Sequence, residues 1–465
     1  MVLSQVLRVE QLVDEQSIGR FNIQLLIWSF LAMFADGFDL SAMPLAAPSL
    51  VSEWHLAKDV FGPVFSASLW GILAGAPLMG WCGDRLGRRF AITVGCVLIG
   101  LSTLAMLATH NLDQMFVLRV ITGLGLGGLM PNTIALSSEL SPKRWRATLV
   151  VLMFTGITLG SATPPLVAAY LVPLYGWRVL FVIGAAVPLV VALCLPFALP
   201  ESIKFLSLRP HRRPELLHTA RRLRPDLKIA DDAHFETPSV TRVEANPLEM
   251  FRGGLAAITP LLWVCFVMVL MSNYFLNSWM PLLLQGSGLT QKAAALVTFL
   301  YHIGGTVGGV LLSVLLDRFG FVAVAVLLGI AVPSIVLLGA PGTSVALLAV
   351  ASTLGGFGVL GGQFGNNASA GLLYPTSIRS TAVGFAFAIG RFGGIAGPMV
   401  GGVLQQRHWA TADLMKAAAV PMALAAVAAI LLARLSYVRY GSLTLDDTPI
   451  APSPATPSPV ISSVK

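Results

Sequence analysis

Gly80-Trp81-Cys82-Gly83-Asp84-Arg85-Leu86-Gly87-Arg88-Arg89 is a charged, glycine-punctuated turn set between two long apolar runs. Its centre returns later in the chain: Asp84-Arg85-Leu86-Gly87 is matched 233 positions on by Asp317-Arg318-Phe319-Gly320. The same offset lays Pro142-x-x-x-Arg146-Ala147-Thr148 on Pro375-x-x-x-Arg379-Ser380-Thr381, Gly160 on Gly393 and Pro165 on Pro398. One short match carries little weight. Several at one spacing, each at an equivalent helix end, mark an internal duplication. Both copies enter from the same side, so the repeat is parallel. Architectures of this kind place a binding site near mid-height between their halves, and rocking exposes it to each side in turn.

Working outward, the composition fits such a reading and excludes a soluble globular enzyme. The 465 residues are 55% hydrophobic and 11% charged, against about 25% charged in average soluble domains. Twelve apolar runs are long enough to span a bilayer: 23–50, 60–82, 90–109, 113–138, 148–173, 178–199, 257–284, 291–316, 320–340, 343–372, 381–404 and 413–435. They lack the period-2 alternation of a barrel, so they are read as helices. The expected fold is an all-α membrane protein of twelve transmembrane helices in two parallel-repeat six-helix halves. The expected divisions are an N-terminal segment 1–22, a first half 23–199, a linker 200–256, a second half 257–435 and a disordered tail 436–465. The stretch Glu201–Arg252 holds ten basic and eight acidic residues, with a short amphipathic helix expected at 214–223.

The net charge of +8 is distributed by topology. Only Lys58, Arg178, Lys292, Arg407 and Lys416 fall on one side, Arg119 and Arg391 lie inside runs, and the remaining 23 of the 30 Lys and Arg fall on the other. By the positive-inside rule both termini are cytoplasmic, in what is expected to be a bacterial inner membrane. Nucleic acid is not an expected partner. Cys82, Cys96, Cys194 and Cys265 have no disulfide or metal spacing. No metal, cofactor, nucleophile elbow or phosphate loop is expected, and so no enzyme.

Inside the first run lies Asp36-Gly37-Phe38-Asp39. An ionisable group at the bilayer centre costs roughly 2.5–3.5 kcal/mol on insertion scales, so two of them point to an ion or proton pathway. At i and i+3 they share a helix face, and close, desolvated carboxylates cannot both be charged cheaply. Asp36 and Asp39 are therefore the candidate proton carriers.

The decad Gly80–Arg89 resembles the G-x-x-x-D-R-x-G-R-R signature of the major facilitator superfamily. A narrower resemblance covers about residues 8–435. It rests on Asp36-Gly37-Phe38-Asp39 with Ala47-Pro48-Ser49-Leu50, Arg119-x-x-Thr122-Gly-Leu-Gly-Leu-Gly-Gly-x-Met-Pro-Asn132, Ser138-Glu139 and Leu276-Asn277-Ser278-Trp279-x-Pro281. It continues through Tyr374-Pro375-Thr376-x-x-Arg379-x-Thr381-x-x-Gly384 and Gly390-Arg391-x-Gly393. These strings are similar to the aromatic acid:proton symporters of that superfamily. The resemblance implies uptake of benzoate-like anions such as 4-hydroxybenzoate or protocatechuate. One departure is visible: members often carry polar residues including a histidine after the second Asp-Arg-Phe, where this chain continues Gly320-Phe321-Val322-Ala323.

Arg391 is the foremost substrate ligand, about 15 Å into its helix at the helical rise. A buried guanidinium binds a carboxylate in bidentate fashion; its alternative is a permanent pairing with Asp36 or Asp39. Arg119 is open between an ion pair and substrate contact. His302 beside Tyr301, together with Asn273, Asn277, Gln363, Asn366 and Asn367, is expected to line the cavity or to bond between helices. Phe34, Phe38, Tyr274 and Trp279 are expected to stack on a ring or pack. At the cytoplasmic ends, Gly80 and Gly87 permit the turn, with Arg85, Arg88, Arg89 and Arg318 flanking it. Asp84, Glu139, Arg146, Asp317 and Arg379 are expected to form ion pairs that hold one state and break in the other. The expected partners are a small aromatic carboxylate, protons and the lipid bilayer, with the chain a monomer. Muconate or another aliphatic carboxylate, or a sugar, is the alternative cargo, since Pro200-Glu201-Ser202 is shared with sugar porters. An exporter is disfavoured because Gly397-Pro398-Met399-Val400-Gly401-Gly402 sits in the eleventh run rather than the fifth. A receptor is disfavoured by the lack of a signalling domain.

Overall fold

A backbone in hydrocarbon must satisfy its own N–H and C=O groups, and a long apolar run does so by coiling into a helix. The computed structural model describes residues 6–236, 247–252, 255–340, 342–374 and 378–440. Twelve helices among them are long and apolar enough to cross a membrane. They are α1 (Arg20–Trp54), α2 (Lys58–Leu86), α3 (Arg88–Ala108), α4 (Leu112–Leu140), α5 (Thr148–Tyr170) and α6 (Arg178–Ala198). The second set is α7 (Leu255–Gly286), α8 (Gln291–Leu316), α9 (Phe321–Leu338), α10 (Val345–Gly371), α11 (Thr381–Gln406) and α12 (Thr411–Tyr437). Each coincides with one run read from the sequence, with shifted ends. α1 overruns 23–50 because Asn22 Oδ1 accepts the Gly19 N–H at 3.2 Å at its start. It ends only at His55, which is left-handed with φ 54°.

Inside the first half α1 packs on α5 and α2 on α4; inside the second, α7 packs on α11 and α8 on α10. Small residues let these backbones close, which is how helices associate where lipid offers no hydrophobic drive. A Cβ at Gly71 would lie on the Val120 carbonyl, and one at Gly304 on that of Thr353. A Cβ at Gly160 would meet the Phe34 carbonyl, and one at Gly393 that of Val267. Each pair is separated by the same 233 residues as the sequence motifs, contact partner included. α3–α6 and α9–α12 pack as outer pairs and expose Leu193, Phe197, Val326 and Val427, as a lipid-facing surface should.

The halves meet through α5–α8, α2–α11 and α1–α7. The described parts of the linker, 199–236 and 247–252, and both described chain ends share one end of the bundle, the linker end. There Val6–Arg8 pairs in parallel with His234–Glu236. The amphipathic helix spans Arg213–Leu223 and buries Leu216, Leu217, Ala220 and Leu223. Residues 237–246 and 441–465, including most of the expected disordered tail, lie outside the described residues. Contacts across the halves concentrate toward the opposite, far end. Ser66 Oγ donates to the Ile395 carbonyl at 3.1 Å, Asn277 Nδ2 to the Leu40 carbonyl at 3.2 Å, and Phe65 meets Trp279 edge-on. Lys292 caps the Tyr170 ring at 4.8 Å. The far end is shut.

Candidate functional site

Between the halves, on the linker-end side of that seal, lies a cavity of about 220 Å³. Arg391 of α11 and Asp36 of α1 both line it, one from each half. Among the described residues Arg391 has no carboxylate within 4 Å and no hydrogen bond; the only ion pair inside the bundle is Arg119 with Asp39. A guanidinium that shares a cavity with the Asp36 carboxylate, close enough for their charges to interact but bonded to no described protein group, is a candidate site for an anion.

Beside it runs a chain of side-chain hydrogen bonds. The Tyr301 hydroxyl donates to Asn273 Oδ1 at 3.0 Å, and Asn273 Nδ2 donates to Gln363 Oε1 at 3.0 Å. Asn273, Asn277, His302, Gln363, Asn367 and Arg391 all line the cavity. The Nε2 atom of His302 and Oδ1 of Asn277 are buried without any protein partner. Every one of these residues belongs to the second half. The first half offers Asp36, Thr158 and Ser161 among Leu40, Leu69, Ile72, Phe154 and Ile157.

Several expected ligands sit elsewhere. Asp39 and Asp36 are about 60° apart around the helix, which turns Asp39 into the first half. There Arg119 Nη1 donates to both Asp39 oxygens at 2.9 and 2.8 Å, and Nη2 donates to Ser68 Oγ at 2.9 Å. Arg119 is thus an ion-pair partner, 2% exposed and outside the cavity. Phe34 and Phe38 form a tilted ring pair along α1, and Phe38 is buried against Gly184 of α6, on the side away from the cavity. Tyr301 is fully buried and reaches the cavity only through Asn273. Asn366 points at α7, accepting from Cys265 Sγ at 3.3 Å. Trp279 donates to the Pro398 carbonyl at 3.0 Å and belongs to the far-end seal. Tyr274 does line the cavity, as do Phe364 and Phe387. Thr158, Ser161, Ile157 and Phe154 of α5 were not singled out. The repeat could have found two of them: the offset of 233 takes Thr158 to Arg391 and Phe154 to Phe387.

At the linker end the expected ion pairs among Asp84, Glu139, Arg146 and Arg379 are absent in this state; the Asp317 side chain lies outside the described ones. Asp84 instead pairs with Arg88 one turn on, at 2.5 Å. Arg146 Nε donates to the Ser141 carbonyl at 3.4 Å, and Arg379 Nε to that of Tyr374 at 3.2 Å. Arg146 also reaches Asp14 at 3.3 Å, Arg85 stacks on Trp81, and Arg318 is exposed. Glu139 accepts from the Ser202 hydroxyl. The organising residue is one not singled out, Glu201. Its carboxylate accepts the Arg89 N–H at 3.2 Å and the Ser202 N–H at 2.9 Å, seated at the N-terminus of α3. Burial raises this carboxyl above its ordinary value, and the N–H groups and Arg89 offset only part of that rise. Gly87, at φ +116°, is required there: a Cβ would strike Glu201. The Arg89 guanidinium ties the same spot to the linker, bonding the Pro196 and Leu199 carbonyls and Glu215 at 3.1 Å. The signal was available in Pro200-Glu201-Ser202, but nothing in the sequence said which donors it met.

The Major Facilitator Superfamily profile matches residues 29–398 and 262–457. The chain belongs to this superfamily. It is a membrane transporter and not an enzyme. The 4-hydroxybenzoate transporter PcaK of Pseudomonas aeruginosa is 34% identical over 94% of this chain and 98% of its own. The gallate transporter of Pseudomonas putida is 34% identical over 85% of this chain and 88% of its own. The benzoate transport protein of Acinetobacter baylyi is 32% identical over 86% and 87%. Among solved structures, the inward-open xylose transporter XylE of E. coli superposes with a TM-score of 0.68, covering 92% of this chain and 99% of its own. At 16% identity it speaks for the fold alone.

Proposed function

We propose that the protein imports aromatic carboxylates of the benzoate type, such as 4-hydroxybenzoate or protocatechuate, together with protons, by alternating access. The reading rests on Arg391, the unpaired guanidinium in a cavity between the halves. Support comes from the cavity's size and walls. Its 220 Å³ is below the roughly 300–1,000 Å³ of sites for drug-sized ligands and suits a single ring among Phe154, Phe364, Phe387 and Tyr274. The relatives named for 4-hydroxybenzoate, gallate and benzoate point the same way.

In this reading the chain is a monomer in a bacterial inner membrane with both termini cytoplasmic, divided as its six-helix repeat suggests. The contacts that shut the far end support an inward-facing reading of the present state. Importing an anion against an inside-negative potential costs about 2.3 kcal/mol per 100 mV. One proton cancels that cost and a second makes entry downhill. Asp36 is the carrier: a substrate carboxylate on Arg391 brings a second negative charge into its cavity, and taking up a proton relieves the repulsion. Asp39, neutralised by Arg119, holds the first half in shape rather than carrying the proton. When the far end opens, Asp84, Glu139, Arg146, Asp317 and Arg379 are the charges available to close the linker end.

The test is uptake into proteoliposomes under an imposed inward proton gradient, with benzoate, 4-hydroxybenzoate, protocatechuate, gentisate and muconate beside glucose. Aromatic uptake abolished by a protonophore is the expected result. Gradient-driven uptake of glucose or muconate alone would overturn the substrate class.

A further inference from the structure

Two polar atoms of the cavity wall are left over by the protein's own bonding. Asn277 is 9% exposed and His302 5%. The Leu40 carbonyl can only accept, so Asn277 must turn its amide nitrogen to it, at 3.2 Å. Asn277 Oδ1 is then a buried acceptor with no donor, and His302 Nε2 is buried with no partner of either kind. Both residues face the cavity. A third group follows from the bonding chain. The buried Tyr301 proton needs an acceptor, so Asn273 presents its oxygen to it and its nitrogen to Gln363, which leaves the Gln363 amide nitrogen to the cavity. Orphaned groups of this kind penalise an apolar occupant and reward one that completes them. A hydroxyl, one donor with two lone pairs, is the group that does so.

Asn277 lies apart from the guanidinium. Gly390 closes on Leu270 and Gly394 on Tyr274, so Arg391 stands level with that part of α7. Asn277 is further along α7 toward the far end by about 5–10 Å at the helical rise. We propose, building on the aromatic-carboxylate reading above, that Asn277 and His302 form a hydroxyl-binding subsite opposite the carboxylate anchor. The transporter then selects acids hydroxylated meta or para to the carboxylate over benzoate and over the ortho isomer. A ring hydroxyl beside the carboxylate stays at the Arg391 end and leaves the orphans unfilled. Sites built to bond a hydroxyl reject analogues that lack it far more strongly than apolar pockets reject an added group.

The experiment is competition in proteoliposomes: labelled benzoate and labelled 4-hydroxybenzoate, each displaced by benzoate and by 2-, 3- and 4-hydroxybenzoate. The expected wild-type result is at least a tenfold preference for the 3- and 4-hydroxy acids. His302→Phe and Asn277→Leu, read independently, should each shrink that preference about tenfold. His302→Gln, which keeps an amide nitrogen near the Nε2 position, should retain most of it. Both substrates are measured in one preparation, so a poorly folded fraction cancels from the ratio. An unchanged ratio in both variants, or a wild type indifferent to hydroxylation, overturns the subsite while leaving carboxylate uptake standing. A wild type that carries no aromatic acid overturns the uptake reading and the subsite together.

Discussion

Across five equivalent positions the two walls of the cavity carry contrasting chemistry. The offset of 233 lays Leu40 on Asn273, Leu69 on His302, Met130 on Gln363, Phe154 on Phe387 and Thr158 on Arg391, and all ten line the cavity. The second half is polar at four of the five positions and the first at one. Deeper in, the contrast reverses. Asp39 and Arg119 form the buried ion pair of the first half; their counterparts Ser272 and Ser352 donate to the Ala418 and Val297 carbonyls, each at 2.7 Å. At the linker end, buried Glu201 corresponds to Arg434, which is exposed. One backbone plan thus carries a half that lines the cavity with polar groups and a half whose buried charges are spent internally, apart from Asp36. A duplicated scaffold supplies equivalent places; what each place does follows from which partners its side chain finds.

The contrast can be broken at four points, from the largest effect down. Asp36→Asn removes the one carboxylate of the first half that faces the cavity, and uphill accumulation should disappear while substrate exchange survives. Full accumulation in proteoliposomes would take Asp36 out of coupling. Arg119→Ser leaves a buried carboxylate alone and should destabilise the first half by about 3–5 kcal/mol. The double change Asp39→Ser with Arg119→Ser, which copies the second half, should recover most of that in a detergent thermal-unfolding assay. Arg391→Ala should lower uptake about a hundredfold, roughly 2.7 kcal/mol at 1.36 kcal/mol per decade. Adding Thr158→Arg, which moves the guanidinium to the matching place on the other wall, should not restore it. Glu201→Gln loses charge-assisted bonds to the α3 N-terminus and should cost about 1.5–3 kcal/mol, seen as faster proteolysis of the linker; unchanged cleavage would remove Glu201 as its anchor.

Much of this was legible in one dimension. Arg391, Asp36, His302, Asn273, Asn277, Gln363 and Asn367 could be singled out because a polar side chain in an apolar run needs a reason. The same logic could not say which reason. Asp36 and Asp39 look alike in the sequence, and only about 60° of helix rotation sends one to the cavity and the other to Arg119. Phe34 and Phe38 fall outside the cavity lining for the opposite cause: an aromatic residue in a membrane helix costs nothing, so its presence carries no information about where it points. Asn366 shows the same limit, one residue from Asn367 and facing α7 rather than the cavity. The linker-end pairs among Asp84, Glu139, Arg146 and Arg379 are not formed here; Glu201, Arg89 and Glu215 hold the first half to its linker instead.

By itself the sequence determined the twelve helices, their parallel duplication and the polar residues that must face inward. Each of these is fixed by local hydropathy, or by the repetition of a motif along the chain. Only the tertiary structure decided which charges neutralise each other and which stay free. That depends on helix rotation and on partners as far away as the 80 residues between Asp39 and Arg119. Arg391 faces the cavity free of any ion pair because packing brought no described carboxylate within 4 Å of it.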